Sequence, residues 1–267
     1  MSKFMTRFAT VAAAACVAGS SYASTINYVG PTSPGFAGGL TGWMGSTVWY
    51  GAVSESNADG ASRFGAPTSV VGDTIDFDPQ NFEASTSGSD SEIVDSQLNF
   101  MVQALGLNVI DNLQFSEAGD TTLFAFAPDV AFTSVTATFF IDVIEVDGVA
   151  LGAPLNLVSN LTFVPSNGDW QTGVDGSPSI STAWTGSTII DIEQALIDAN
   201  IDFVGGATKV NVAVDNTLTA GSSGPTASAF IRKKDFDGFS VTTNIPEPAS
   251  LALLGLGGLA ILGRRRG

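Results

Sequence analysis

The chain has 267 residues and is strongly acidic, with 26 Asp and Glu against 10 Lys and Arg and a formal net charge of −16. It contains no His and a single Cys, which excludes a Ser-His-Asp or Cys-His nucleophile system and a Cys-rich zinc site. Binding to nucleic-acid phosphates needs clustered Lys and Arg, so we expect no nucleic-acid partner.

The first 23 residues have the pattern of a secretory signal peptide. Lys3 and Arg7 give a positive start, residues 8–18 are apolar, and Ala23 ends a run of residues that suits signal cleavage. We therefore predict cleavage after Ala23 and export through the Sec pathway. Cys16 also allows a lipoprotein interpretation, but the alanines before it lack the large aliphatic residue that such sites usually contain. Cleavage after Ala23 leaves a mature chain without cysteine.

Residues 24–244 form the predicted body, which has 25 acidic and five basic residues and a net charge of −20. Apolar and polar residues alternate over 97–104, 135–144 and 210–215, which predicts three strands. The first is half-buried, and the second is apolar on both faces over part of its length, which places it centrally in its sheet. Asp147 and Gly148 predict a hairpin turn, with a return strand from residue 149. Shorter strands are predicted at 47–53, 74–77, 121–126, 157–163, 227–232 and 239–242.

Turns are predicted where Gly, Ser, Asn and Asp cluster, at 72–73, 87–89, 166–169, 221–225 and 237–238. One helix is predicted over 190–200, with Asp191 and Glu193 near its start, where the helix dipole favours anions. Many short strands with a single helix predict an all-β fold, an antiparallel β-sandwich of jelly-roll type with one short crossover helix. The length suits one large domain.

Asp73, Asp76 and Asp78 crowd the start of one predicted strand. Carboxylate oxygens in a loop can hold Ca²⁺, so these three residues are a candidate metal site. The alternative is a solvated strand edge protected by charge. Apart from this calcium site we expect no cofactor.

Trp170 and Trp184 lie among polar loop residues and are candidates for an aromatic platform that stacks on sugar rings. The alternative is that both rings cap the core of the sandwich, since buried aromatic side chains dominate such cores. For Trp49 we favour a core position.

We expect no enzymatic activity. A glycoside hydrolase needs two carboxylates a few ångströms apart, and with 25 acidic residues in the body such pairs arise by chance. No local motif marks one pair as catalytic, so a carboxylate-dependent glycosidase remains the least favoured alternative.

The C-terminal segment 245–267 combines three features in order. Pro246, Glu247 and Pro248 form a short motif, residues 251–263 are apolar or Gly, and Arg264, Arg265 and Arg266 follow. A helix over 249–263 would be about 22 Å long at 1.5 Å per residue, which is short of a bilayer core of about 30 Å. The arginines would hold the extreme C-terminus in the cytoplasm. We therefore predict a short hydrophobic transmembrane helix that anchors the chain transiently.

This tail closely resembles the PEP-CTERM sorting signal of Gram-negative bacteria, which is also called the ice-binding protein C-terminal domain. The resemblance implies that the partner is an exosortase in the inner membrane, and that the precursor is processed there before it reaches the cell surface or extracellular matrix. Ice binding by a β-solenoid would need a repeated Thr-x-Thr ladder, and the single triplet at 136–138 is not a repeat. Stretches at 64–67, 73–79, 215–220 and 229–236 also resemble one recurrent type of PEP-CTERM protein.

The preferred hypothesis is therefore an exported, non-enzymatic surface or matrix protein that is associated with exopolysaccharide or biofilm. The first alternative is a carbohydrate-binding module, with or without bound Ca²⁺.

Overall fold

The computed structural model describes residues 24–32, 41–173 and 177–244, with side chains described up to residue 234. The predicted signal peptide with Ala23 lies outside the described residues. So does the C-terminal segment with Pro246, Glu247, Pro248, its apolar helix and Arg264, Arg265 and Arg266. Within the described ranges no helix is long and apolar enough to cross a membrane.

Within the described ranges the body has thirteen strands, one α-helix and one 3-10 turn at Ser166–Gly168. In chain order the elements are β1 (Ser24–Asn27), β2 (Trp43–Met44), β3 (Val48–Asn57), β4 (Ser69–Val71), β5 (Thr74–Phe77), β6 (Glu83–Ala104), β7 (Val109–Phe124), β8 (Ala131–Val146), β9 (Val149–Asn160), β10 (Thr162–Val164), β11 (Asp169–Gln171), β12 (Ser179–Asp191), α1 (Ile192–Asp198) and β13 (Ala207–Asn244).

The strands form an antiparallel β-sandwich, as predicted. In one layer, which we call the first sheet, β13 lies between β6 and β8, with β3 and β9 outside them. In the second sheet the later part of β13 pairs with β5 and β7, and β7 pairs with β12. The two layers meet in an aromatic core, where the ring centroids of Phe115 on β7 and Phe139 on β8 are 3.7 Å apart.

β6 and β13 form one long ribbon that belongs to both sheets. Up to Ser222 the second neighbour of β13 is β8, and from Ser228 onward it is β7. The turns predicted at 87–89 and 221–225 are wrong as chain reversals, because these segments pair with each other where the ribbon passes between the layers. The turn predicted at 237–238 also lies inside β13, at a register shift. Gly and Ser tolerate such irregularities within a continuing ladder.

The alternation patterns correctly identify the inward faces of the main strands. Val210, Val212 and Val214 are buried, as are the predicted inward residues of β8. The predicted hairpin at Asp147 and Gly148 is confirmed, since both residues have positive φ and the flanking strands pair. The segment predicted as one strand at 157–163 is extended except at Leu161, where the chain passes from the end of β9 into β10.

The predicted helix is shorter than expected, because it begins after Asp191 and ends at Asp198. The carboxylate of Asp191 accepts a hydrogen bond from the backbone N–H of Gln194 and caps the helix N-terminus.

Candidate functional site

The outer face of the first sheet contains a groove of about 300 Å³. Its floor crosses three strands, because Ala213 of β13 lies opposite Asn99 of β6 on one side and Phe140 of β8 on the other. One step along the ladder, Asn211 lies opposite Asp142. The groove thus brings together an aromatic ring, two amides and a carboxylate.

The depression follows from side-chain size. The side chain of Ala213 is smaller than those of Asn99 and Phe140 on either side of it, which leaves space above β13. Phe140 forms one wall, and 41% of its surface remains exposed. A ring of this size exposed on a sheet face is an apolar surface that a ligand can cover.

The polar character of this surface continues over the neighbouring strands. We define the polar face as Phe140 together with the amide, carboxylate and hydroxyl side chains around it: Gln97, Asn99, Thr138, Asp142, Asn156, Asn160, Asn211 and Asp215.

Hydrogen bonds fix several of these side chains. Nδ2 of Asn156 donates to Oδ1 of Asp142, and Oγ1 of Thr138 donates to Oδ1 of Asn160. Partial burial raises the pKa of Asp215, with a further contribution from the negative charge of Asp95. The polar face therefore contains two carboxylates, and a hydrogen bond from Asn156 holds that of Asp142.

Such a face has the chemistry needed to bind hydroxyl-rich ligands. Amides donate and accept hydrogen bonds, and carboxylates accept them, which matches hydroxyl groups that do both. An apolar ring among a few polar groups is the usual composition of a binding site for an uncharged organic ligand.

Sequence reasoning did not find the polar face. One signal was present, because Phe140 falls on the polar half of the alternation in the strand predicted at 135–144. An aromatic residue in phase with Thr138 and Asp142 predicts an exposed ring. The partners from β6, β9 and β13 could not be predicted, because the strand order decides which residues adjoin Phe140.

The structure gives the three predicted calcium ligands different surroundings. The carboxylate of Asp73 accepts hydrogen bonds from the backbone N–H of Thr47 at 2.7 Å and from its hydroxyl at 2.6 Å. The carboxylate of Asp76 accepts from the hydroxyl of Thr68 at 3.0 Å, and Asp78 is exposed. Among the described residues no group of three acidic, Cys or His side chains is arranged to hold a metal ion.

The interpretation of Trp170 and Trp184 as a stacking platform is wrong. Both rings are buried, with 5% and 1% of their surfaces exposed. Trp184 packs edge-on against Phe163 and lies opposite Gly119, whose missing side chain leaves room for the indole. Polar neighbours in sequence do not show what faces a side chain across the sandwich. The core position that we favoured for Trp49 is confirmed.

Comparison with known proteins identifies the C-terminal tail. Residues 244–266 match the PEP-CTERM protein-sorting motif, so the chain carries the C-terminal tail of an exosortase substrate. This motif marks a surface protein that is targeted by an exosortase in Gram-negative bacteria. No curated protein has significant sequence similarity to the chain.

Two solved structures illustrate what the body is similar to. The carbohydrate-binding module TmCBM61, solved with β-1,4-galactotriose, is 8% identical, with a TM-score of 0.16 over 61% of this chain and 70% of that one. A family 12 xyloglucanase from Bacillus licheniformis is 11% identical, with a TM-score of 0.22 over 83% of this chain and 100% of that one. Similarity this low does not indicate a function.

Proposed function

We propose that the chain is an exported, non-enzymatic surface or matrix protein whose body binds extracellular polysaccharide through the polar face. In this proposal residues 1–23 direct export through the Sec pathway. The tail then holds the precursor briefly in the inner membrane, where an exosortase acts on it. The sorting motif at 244–266 supports this route.

The observation that carries the binding proposal is the position of Phe140. Its exposed ring forms one wall of the groove, and the polar side chains of the groove are Asn99, Asn211 and Asp142. A sugar ring has an apolar face and a rim of hydroxyl groups, and this groove offers a complementary surface for each.

The negative charge of the protein determines which class of polysaccharide we expect it to bind. Asp142 and Asp215 lie on the polar face, and the body as a whole carries a net charge of −20. Like charges repel at short range, so an uncharged polysaccharide is favoured over a polyanion.

The experiment uses Phe140→Ala. We expect this change to weaken binding of the purified protein to uncharged polysaccharide of the producing cells by about tenfold or more, since it removes the exposed aromatic ring of the groove and each 1.4 kcal/mol is a factor of ten. Binding is measured by co-sedimentation. Phe124→Ala is the matched control, because Phe124 is similarly exposed (39%) but lies on β7.

Equal binding by the wild type and Phe140→Ala would show that the polar face is not the polysaccharide-binding surface. The same incubations test the non-enzymatic part of the proposal, because we expect no reducing sugar to be released. Sugar release that depends on Asp142 or Asp215 would instead favour a carboxylate-dependent glycosidase.

A further inference from the structure

Three polar side chains with complementary chemistry are enclosed in the core of the sandwich. Lys233 lies on the later part of β13, in the second sheet, and its side chain is fully buried. Glu117 on β7 and Asn216 on the earlier part of β13 are also buried. The three residues therefore connect the two sheets through the interior.

One oxygen joins the three side chains. Oε2 of Glu117 accepts a hydrogen bond from Nδ2 of Asn216 at 2.7 Å and an ion-pair contact from Nζ of Lys233. Because they share this acceptor, the amine of Lys233 and the amide of Asn216 both lie within hydrogen-bonding distance of one oxygen atom.

Aromatic rings enclose the amine. Nζ of Lys233 lies 4.8 Å from the ring centroid of Phe64 and 5.4 Å from that of Phe82. Burial lowers the pKa of Lys233, against the opposing effect of Glu117, and burial also raises the pKa of Glu117. Both shifts favour the neutral pair, an amine beside a carboxylic acid, and a desolvated neutral lysine is a competent nucleophile.

Two oxygens of the cluster are unpartnered. Oε1 of Glu117 and Oδ1 of Asn216 are buried and receive no hydrogen bond from any described residue. A buried acceptor without a donor lowers the stability of the folded protein. A purely structural ion pair would therefore not explain why these two oxygens are buried here. A proton held by Glu117 would supply a donor for the amide oxygen.

We propose that Lys233 and Asn216 become joined by an intramolecular isopeptide bond, with Glu117 as the catalytic acid and base. Glu117 contacts both the amine and the amide that would be joined. The inference is independent of polysaccharide binding, because none of the three residues belongs to the polar face.

The reaction balances without an external reagent. Lys233 transfers a proton to Glu117, and the neutral Nζ attacks Cγ of Asn216 while Glu117 protonates Oδ1. Glu117, now a carboxylate, takes a proton from the attached Nζ and passes it to Nδ2. The Cγ–Nδ2 bond then breaks, and the proton on Oδ1 returns to Glu117 as the carbonyl re-forms. The products are an Nζ–Cγ amide, one molecule of ammonia and a protonated, neutral Glu117.

Such a bond would serve a chain that cannot form a disulfide. The only Cys is Cys16, so residues 24–244 contain none. The isopeptide would close a ring from residue 216 to residue 233 and tie the two parts of β13, and with them the two sheets, independently of redox conditions.

The test is the mass of the purified exported protein. We expect it to be lighter than its sequence mass by one molecule of ammonia, and tryptic digestion to release residues 210–232 joined to residues 233–234. Tandem mass spectrometry should place the junction between Asn216 and Lys233. A wild-type chain at its full sequence mass would overturn the proposal, as would ammonia loss without joined peptides, which would indicate ring closure at Asn216 alone.

Matched variants assign the roles. Lys233→Arg keeps the positive charge but removes the primary amine, and Glu117→Gln keeps the shape but removes the acid and base, so both should retain the full sequence mass. Lys234→Arg is the control, because Lys234 is half-exposed and pairs with Asp120, and it should lose ammonia like the wild type. Ammonia loss with joined peptides in Glu117→Gln would contradict its catalytic role.

Discussion

Glu55 is a fully buried carboxylate that is stabilised mainly by backbone and hydroxyl donors. Oε1 accepts from the backbone N–H groups of Arg63 and Phe64 and from the hydroxyl of Ser96, and Oε2 accepts from the hydroxyl of Tyr28. A buried carboxylate is tolerated when its oxygens are satisfied in this way. The segment around residue 64 is thereby held over the core.

Tyr28 makes this site sensitive to alkaline pH. Partial burial raises its pKa to about 12, and the carboxylate of Glu55 adds to the shift. A raised folded-state pKa contributes stability that is complete below the ordinary tyrosine pKa of about 10 and is lost as pH rises toward 12. We therefore expect the melting temperature to fall between pH 10 and 12, and to fall less steeply in Tyr28→Phe. Identical slopes for the two chains would show that Tyr28 does not contribute.

Individual residues also show the limit of local sequence patterns. Alternation correctly placed Val210, Val212 and Val214 inside, because a strand with one buried face imposes a period of two on its own residues. It could not place Trp184, because the space for that ring is provided by Gly119 on another strand.

The secondary structure differs from the sequence-based prediction chiefly within β6 and β13. Local composition predicts turns at 87–89 and 221–225, but the two segments satisfy each other's backbone groups across the ribbon. Cross-strand pairing therefore overrides turn propensity. The β-sandwich itself was predictable, since the order of apolar and polar residues along the chain shows many strands and a single helix.

Packing between neighbouring strands of the second sheet depends on Gly119. A Cβ atom at this position would overlap the carbonyl oxygen of Arg232 and the indole of Trp184. We expect Gly119→Ala to lower the free energy of unfolding by about 1–3 kcal/mol, measured by urea denaturation. Gly152→Ala is the control, because a Cβ there meets nothing within 4 Å, and its effect should stay within about 0.5 kcal/mol. Equal stability of the two variants would contradict this packing.

At the scale of the whole molecule, the net charge of −16 averages segments with different roles. The body alone carries −20, and the basic residues outside it lie in the predicted signal and in the sorting tail. The tail could be identified from sequence because its motif is linear. The polar face could not, because its residues are contributed by β6, β8, β9 and β13.

Fractionation of producing cells that express a tagged chain tests sorting and polysaccharide binding in one experiment. We expect the wild type in the polysaccharide fraction, the Phe140→Ala chain released into the medium, and a chain with Pro246, Glu247 and Pro248 changed to Ala retained as precursor in the inner membrane. The Phe124→Ala chain should behave like the wild type. Normal surface delivery of the chain with the altered motif, or retention of Phe140→Ala in the polysaccharide fraction, would contradict the account.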